Sequence, residues 1–449
     1  MKEKEFYRQV LRLMIPVIIQ NLLSAAVSSA DVIMLGYVGQ SAISSISLAA
    51  QYATILTMVF HGLGTGIVML CAQYYGKKEL KAIQCIEGIA FTVSISASLL
   101  FALAAVTIPD LMMQLFTNDP ELIGLGTSYL RIVSISYLCM GLAEVYLSVL
   151  RSIGQVEICM YLNALAFSLN VVLNAVFIFG LFGAPKLGVI GVAIATSISR
   201  AIEVAACLIV SSRNREVKMN PLYIRLYNKL LLKDFVRLSM PAMANSVIWG
   251  VGFSMYSVIL GHLSSDVVAA NSLVSVVRSF GTVFCYGVST ASGILLGNVM
   301  GSGETEVARE YASKLIKATV AAGLAGGLVI LGITPVILHF ATLTDTAMYY
   351  LKYMLLINSV YIMGTAVNST IITGFFRAGG DSKFGMICDT IDMWCYAVPL
   401  GFLAAFVFKL PVLVVYAFLC TDEFVKWPWV IKRYKSGKWI KNITRDDLF

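Results

Sequence analysis

RNREVKMNPLYIRLYNKLLLKD, from Arg213 to Asp234, is the one long polar, basic stretch in the interior of a 449-residue chain. The chain as a whole is 58% hydrophobic and 13% charged, about half the charge of an ordinary soluble domain. Six apolar runs precede the stretch, at about 10–35, 43–73, 83–108, 127–150, 157–181 and 187–211. Six follow it, at about 235–260, 267–299, 312–339, 348–376, 384–408 and 411–430. A helix needs roughly 20 apolar residues to cross hydrocarbon, whereas barrel strands are about ten residues long and alternate. Run length therefore predicts an all-α integral membrane protein of twelve transmembrane helices. Its expected plan is a six-helix bundle over 1–212, a cytoplasmic basic linker over 213–234, a second six-helix bundle over 235–430 and a cytoplasmic tail over 431–449. The long second and eighth runs are expected to tilt or to project beyond the bilayer. The first run is too long for a removable signal and carries no small-residue cleavage site.

Basic residues set the sidedness. With the N-terminus in the cytoplasm, 27 of the 33 lysines and arginines fall in inward segments, and only Lys186 and Lys409 in outward ones. That bias predicts a multi-pass protein of the plasma (inner) membrane with both termini inside. The net charge of +8 is then a topology signal and does not argue for nucleic acid as a partner. Nine cysteines are scattered singly with no CxxC pair, and read as buried, reduced thiols.

The flanks of the linker repeat one another. LRLMIP (Leu11 to Pro16) matches VRLSMP (Val236 to Pro241) at an offset of 225. Without a gap, Leu35 and Gly36 then meet Leu260 and Gly261, Gly62 meets Gly287, Thr65 meets Thr290, Gly76 meets Gly301 and Glu79 meets Glu304. RSIGQ (Arg151 to Gln155) meets RAGGD (Arg377 to Asp381) at an offset of 226. Repeats with an even number of spans share one orientation, related by an axis along the membrane normal, and place a substrate pathway between the bundles. Gly62, Gly64 and Gly66 read as residues that soften or bend the second span. Pro16 and Pro241 read as kinks or starts of spans 1 and 7.

These motifs, in their order, resemble the multidrug and toxic compound extrusion (MATE) family over nearly the whole chain. The resemblance rests on the paired prolines, on GLGTG…AQYYGKKE (Gly62 to Glu79), on RSIGQ and RAGGD, and on GVIGVAIATSISR (Gly188 to Arg200). It implies a two-lobed, V-shaped secondary antiporter that exports organic cations and other amphipathic compounds, driven by inward Na⁺ or H⁺.

Asp31, in SSADVIMLGYVG, is the carboxylate that most needs a reason, because an ionised group inside a bilayer costs at least about 2–3 kcal/mol. Its repeat partner is Tyr256, so the duplication keeps the charge in one half only. At about 1.5 Å per residue, Asp31 lies roughly 27 Å from the inner surface, and Asn170 and Asn174, one turn apart in span 5, roughly 20 and 26 Å. Thr196 in span 6 lies roughly 12 Å from the outer surface. One carboxylate, two amide oxygens and a hydroxyl make a hard-oxygen set for a small cation, or with Asp31 alone a proton site. The family resemblance implies the same grouping, because one branch carries an Asp in span 1, an Asn/Asp pair in span 5 and a Thr in span 6. The departure is Asn174, where that pattern has Asp. The other branch's Glu in span 7 and Asp in span 10 correspond to about Trp249 and Ala366, so that site is absent.

Further candidates are Glu144 in span 4, Asp389 and Asp392 in span 11, and Arg278 in span 8, as relay or substrate groups. The plain alternative for Arg278 is a structural salt bridge to one of those aspartates. Arg200 is expected to pair with Glu203, and Asp422 and Glu423 with Lys426. His61 is expected to be a packed imidazole. Tyr37, Tyr256 and Trp249 are candidates for an aromatic substrate cavity. A lipid-linked oligosaccharide flippase of the same superfamily is the nearest rival, disfavoured because just four Lys or Arg lie within spans. An enzyme is disfavoured by the lack of a zinc-type His pair, GxSxG or phosphate loop. The expected partners are small organic molecules and membrane lipid; the protein is expected to act as a monomer without a cofactor, with Na⁺ or H⁺ as transported ion.

Overall fold

The computed structural model describes residues 3–226, 228–341 and 343–446. Among these residues the regular structure is helical throughout, and eleven helices are long and apolar enough to cross a membrane. They are α1 (Glu3–Gly36), α2 (Gln40–Gly76), α3 (Leu80–Thr107), α4 (Pro120–Ser152), α5 (Val156–Phe179) and α6 (Gly188–Arg213). After the linker come α7 (Lys229–Gly261), α8 (Ser265–Gly301), α9 (Thr305–Phe340), α10 (Asp345–Phe376) and α11 (Ser382–Val407). The multi-span, doubled helical plan is borne out. The twelfth run is the exception: it breaks into α12 (Val412–Leu419), α13 (Asp422–Val425) and α14 (Trp427–Lys435). Pro428 has no N–H to offer the Phe424 carbonyl one turn back, which marks the second break.

Turn chemistry punctuates the helices at repeated positions. Asp119 caps α4 by accepting from the Glu121 N–H at 2.9 Å, with Pro120 in the first turn. Thr344, 225 residues on, caps α10 by accepting from the Ala347 N–H at 3.2 Å. Pro16 and Pro241 lie well inside α1 and α7, so neither begins its helix. Neither proline has an N–H to offer the carbonyl four residues back.

The second helix runs unbroken from Gln40 to Gly76, and its glycines are points of close approach. A Cβ at Gly76 would sit 1.9 Å from the Asn298 carbonyl oxygen, and one at Gly301 would sit 1.9 Å from that of Gln73. Gly76 and Gly301 are repeat partners, and so are Gln73 and Asn298, so the contact between the ends of α2 and α8 is reciprocal. The duplication seen as letters is here a local two-fold in the packing.

By packing, the chain forms two compact units. One comprises Met1–Ile18, Ala72–Lys77 and Met240–Arg445; the other is chiefly Ile19–Cys71 and Lys78–Ser239. We call them the C-terminal and N-terminal units. Their limits fall inside α1, α2 and α7, whereas the repeat limits fall in the linker. The linker itself lies on α3 in the N-terminal unit: the Cys85 thiol donates to the Leu226 carbonyl, and Tyr223 backbone packs against Gly88. The chain after α14 is equally held in the C-terminal unit. Trp439 is 1% exposed and stacks on Phe375 and Tyr434. Gln73 donates to the Ala378 and Lys441 carbonyls and accepts from the Ile443 N–H. All nine cysteines are free, six of them buried.

Candidate functional site

Asp31 stands five residues before the end of α1, within the N-terminal unit. The structure brings the predicted quartet together. Asn174 Nδ2 donates to Asp31 Oδ1 at 2.8 Å and to Asn170 Oδ1 at 3.3 Å; Asn170 Nδ2 donates to Thr196 Oγ1 at 3.2 Å. Thr196 in turn donates to the Val192 carbonyl of its own helix. The i,i+4 spacing of the two asparagines on α5 is what lets one amide relay to the next. Asn174 is 1% exposed, and its Oδ1 has no hydrogen-bond partner among the described residues. Such a buried orphan acceptor costs about 1–3 kcal/mol and invites a proton donor or a cation. Sequence reasoning missed Tyr129 of α4, a buried residue within electrostatic reach of Asp31 and beside Thr196. Its signal was weak: one more tyrosine in an apolar run.

Glu144 does not join this group. It accepts from the Arg151 guanidinium at 2.7 Å and from Ser148 at 3.1 Å, against Gly64 of α2. Arg151, the first residue of RSIGQ, thus anchors Glu144 two turns back on the same helix.

The second candidate set rearranges. Arg278 forms no salt bridge with Asp389 or Asp392; its guanidinium lies over the Phe253 ring at 4.4 Å. Both aspartates face Lys426 instead, at 3.2 and 3.6 Å, and Glu423 joins them at 3.2 Å. Lys426, counted from sequence among the cytoplasmic charges, is 2% exposed. Asp422 does not pair with it as expected and accepts from the Tyr256 hydroxyl at 3.0 Å. Arg200 and Glu203 pair as expected, at 2.8 Å. His61 is exposed, which corrects the packed reading. Of the aromatic candidates, Tyr37 is exposed in the N-terminal unit, edge-on to Phe179, while in the C-terminal unit Trp249 stacks on Phe253 and Tyr256 is buried.

The chain is thus a doubled, multi-span helical protein with a half-buried polar quartet in one half. The MatE family model matches residues 16–176 and 241–403, one match in each repeat, and the chain belongs to the MatE family, a family of transporters. It is 22% identical to the uncharacterized transporter YisQ of Bacillus subtilis, over 95% of this chain and 93% of that one. It is 23% identical to the probable multidrug resistance protein NorM of Thermotoga maritima, over 98% and 95%. Among solved structures, the Vibrio cholerae MATE transporter VcmN in its bent form superposes with a TM-score of 0.86 at 17% identity, over 98% and 99% of the two chains.

Proposed function

We propose that this protein is a secondary-active multidrug exporter that expels amphipathic or cationic organic compounds in exchange for Na⁺ or H⁺ by alternating access. The observation that carries the reading is the Asp31–Asn174–Asn170–Thr196 chain with its orphan acceptor. A carboxylate held among amides, beside an acceptor without a donor, suits an incoming Na⁺ or proton. The NorM relatives, named as probable multidrug resistance proteins, support the multidrug part of the reading. The absence of nucleotide-binding motifs from the sequence favours gradient-driven transport. The working arrangement is two six-helix repeats joined by the 213–234 linker, in the plasma membrane, with both termini cytoplasmic and one chain per transporter. A flippase is disfavoured, because a pyrophosphate needs a cationic cavity.

For coupling, the ion must bind the two access states with different affinity. Loading of Asp31 would remove or screen its charge, change how α1, α5 and α6 hold one another, and so weaken drug binding.

Ethidium efflux from proteoliposomes, with Na⁺ and pH gradients imposed separately, tests the reading. Wild type should respond to one gradient, and folded Asp31→Asn should lose that response. Normal pumping by the variant would make the quartet structural. No efflux from wild type under either gradient would overturn the exporter itself.

A further inference from the structure

The C-terminal unit contains a second polar centre that the quartet does not explain. Lys426 is met by Asp389, Asp392 and Glu423 within 3.6 Å, and Asp422 adjoins Glu423 in sequence and accepts its backbone N–H at 2.8 Å. All five side chains belong to residues no more than 6% exposed. Three carboxylates thus share one ammonium and a fourth, on Tyr256, adjoins them, so full ionisation would leave the five groups with a net charge of three negatives in the middle of a helical bundle. Burial of even one unpaired charge costs several kcal/mol, on the order of what whole domains have to spare. Groups coupled this closely settle the matter by sharing protons, and the number bound changes with their surroundings. Among the described residues no group of three or more His, Cys, Asp or Glu is arranged to hold a metal ion. The charge excess therefore points to protons.

The groups facing the cluster sharpen this. From α7, the Tyr256 hydroxyl donates to Asp422. From α8, Cys285 faces Glu423. From α10, Asn368 donates to Glu423, Tyr361 faces Asp422 and Glu423, and Arg377 faces Asp389. Cys388 and Cys420 flank the acids on their own segments. Of the further cations in reach, Arg433 is held by Asp381, Arg278 lies over Phe253 on its own side, and Arg377 beside Asp389 offsets one charge of the excess and no more.

A second observation points to a ligand. Tyr256 and Tyr361 also line a cavity with Phe253, Asn271, Arg278 and Tyr416. The Tyr361 hydroxyl, in a residue 4% exposed, has no hydrogen-bond partner among the described residues, and neither does Asp392 Oδ1. Tyr256 thus has its ring on the cavity and its hydroxyl on Asp422. The backbone adds a third: α10 and α11 widen into π turns at Ser369–Phe376 and Ile391–Ala397, next to Asn368 and around Asp392, a backbone form that gathers at functional sites.

We propose that Asp389, Asp392, Asp422, Glu423 and Lys426 form a proton-exchange site in the C-terminal unit, reached through the cavity behind Tyr256. Its ligand is the proton itself; a proton taken up converts one carboxylate to a carboxylic acid and is given back on release, with no other bond changed. Its place in a transport cycle rests on the antiporter reading above, but its proton occupancy does not.

The test is infrared spectroscopy of the full chain in nanodiscs, following carboxylic-acid C=O bands through a pH titration. Wild type should keep acid bands at neutral pH that vanish as the pH rises. Asp392→Asn and Asp422→Asn should each remove part of that signal, and Asp31→Asn should leave this part in place. Tyr256→Phe, a near-isosteric change, should move the midpoint by about tenfold in proton affinity, one unit of pH. Bands untouched by any cluster substitution, in variants that remain folded, would overturn the proposal. Ethidium efflux run in parallel separates the two readings: bands without any wild-type efflux sink the exporter and leave the proton site standing.

Discussion

Asn174 sits where a second carboxylate would complete the cation site of the family branch it resembles. Its amide nitrogen is committed to Asp31 and Asn170, and its oxygen to nothing among the described residues. Asn174→Asp would replace a donor with an anion about 3 Å from Asp31. We expect the variant to gain Na⁺ dependence, with half-maximal stimulation of ethidium efflux at a Na⁺ concentration lower by about tenfold or more, because one added charge in a half-buried site is worth over 1 kcal/mol. Lys426 makes the opposite case. Lys426→Met would leave four buried carboxylates with no cation among them, and removing one partner from a buried ion pair costs about 3–5 kcal/mol. Thermal unfolding in detergent should show a large loss, and adding Asp389→Asn should restore part of it. The quartet was legible in sequence because depth counted along each helix puts all four in one half of the bilayer, and the family pattern groups the same four positions. The Lys426 cluster was not legible, because its pairs join α11 to the broken last span, and nothing in the order of letters says that two helices 37 residues apart face each other.

At the scale of elements, the reciprocal contact between α2 and α8 makes a symmetric prediction. Gly76→Val and Gly301→Val would each drive a side chain into a backbone carbonyl that cannot yield. Both should cost about 3 kcal/mol or more and shift the melting temperature by similar amounts, since each is the other's image. A large effect at one and none at the other would break that equivalence. Sequence showed the pairing of these glycines but not their task, since an alignment reports that a position recurs and not what it touches. The long helices were readable from run length. The breaks in the twelfth were not, because hydropathy averages over Cys420–Thr421 and Pro428, where the backbone turns.

At the scale of the molecule, repeats and packing units do not coincide. The first 18 residues and the end of α2 pack with the second repeat, while the linker and the start of α7 pack with the first. The tail completes the C-terminal unit: Arg433 clasps Asp381 through two bonds of 2.7 and 3.0 Å, and Lys77 donates to the Arg445 carbonyl. Truncation after Ser436 should expose the Trp439 pocket on Phe375 and speed amide exchange at residues 72–77, read by hydrogen-exchange mass spectrometry. Exchange as slow as in the full chain would mean that α2 needs no help from the tail. Composition gave no sign of this docking, because among the described residues of the tail a single tryptophan is the buried anchor.

That clasp also sets an order of events during synthesis. Gln73 and Lys77 leave the ribosome hundreds of residues before the carbonyls that will hold them. The growing protein must therefore carry the C-terminal end of α2 unfinished through most of its manufacture. Only when the 439–445 segment arrives does that end gain its last partners, so a chain stopped short is marked, at its opposite extremity, as incomplete.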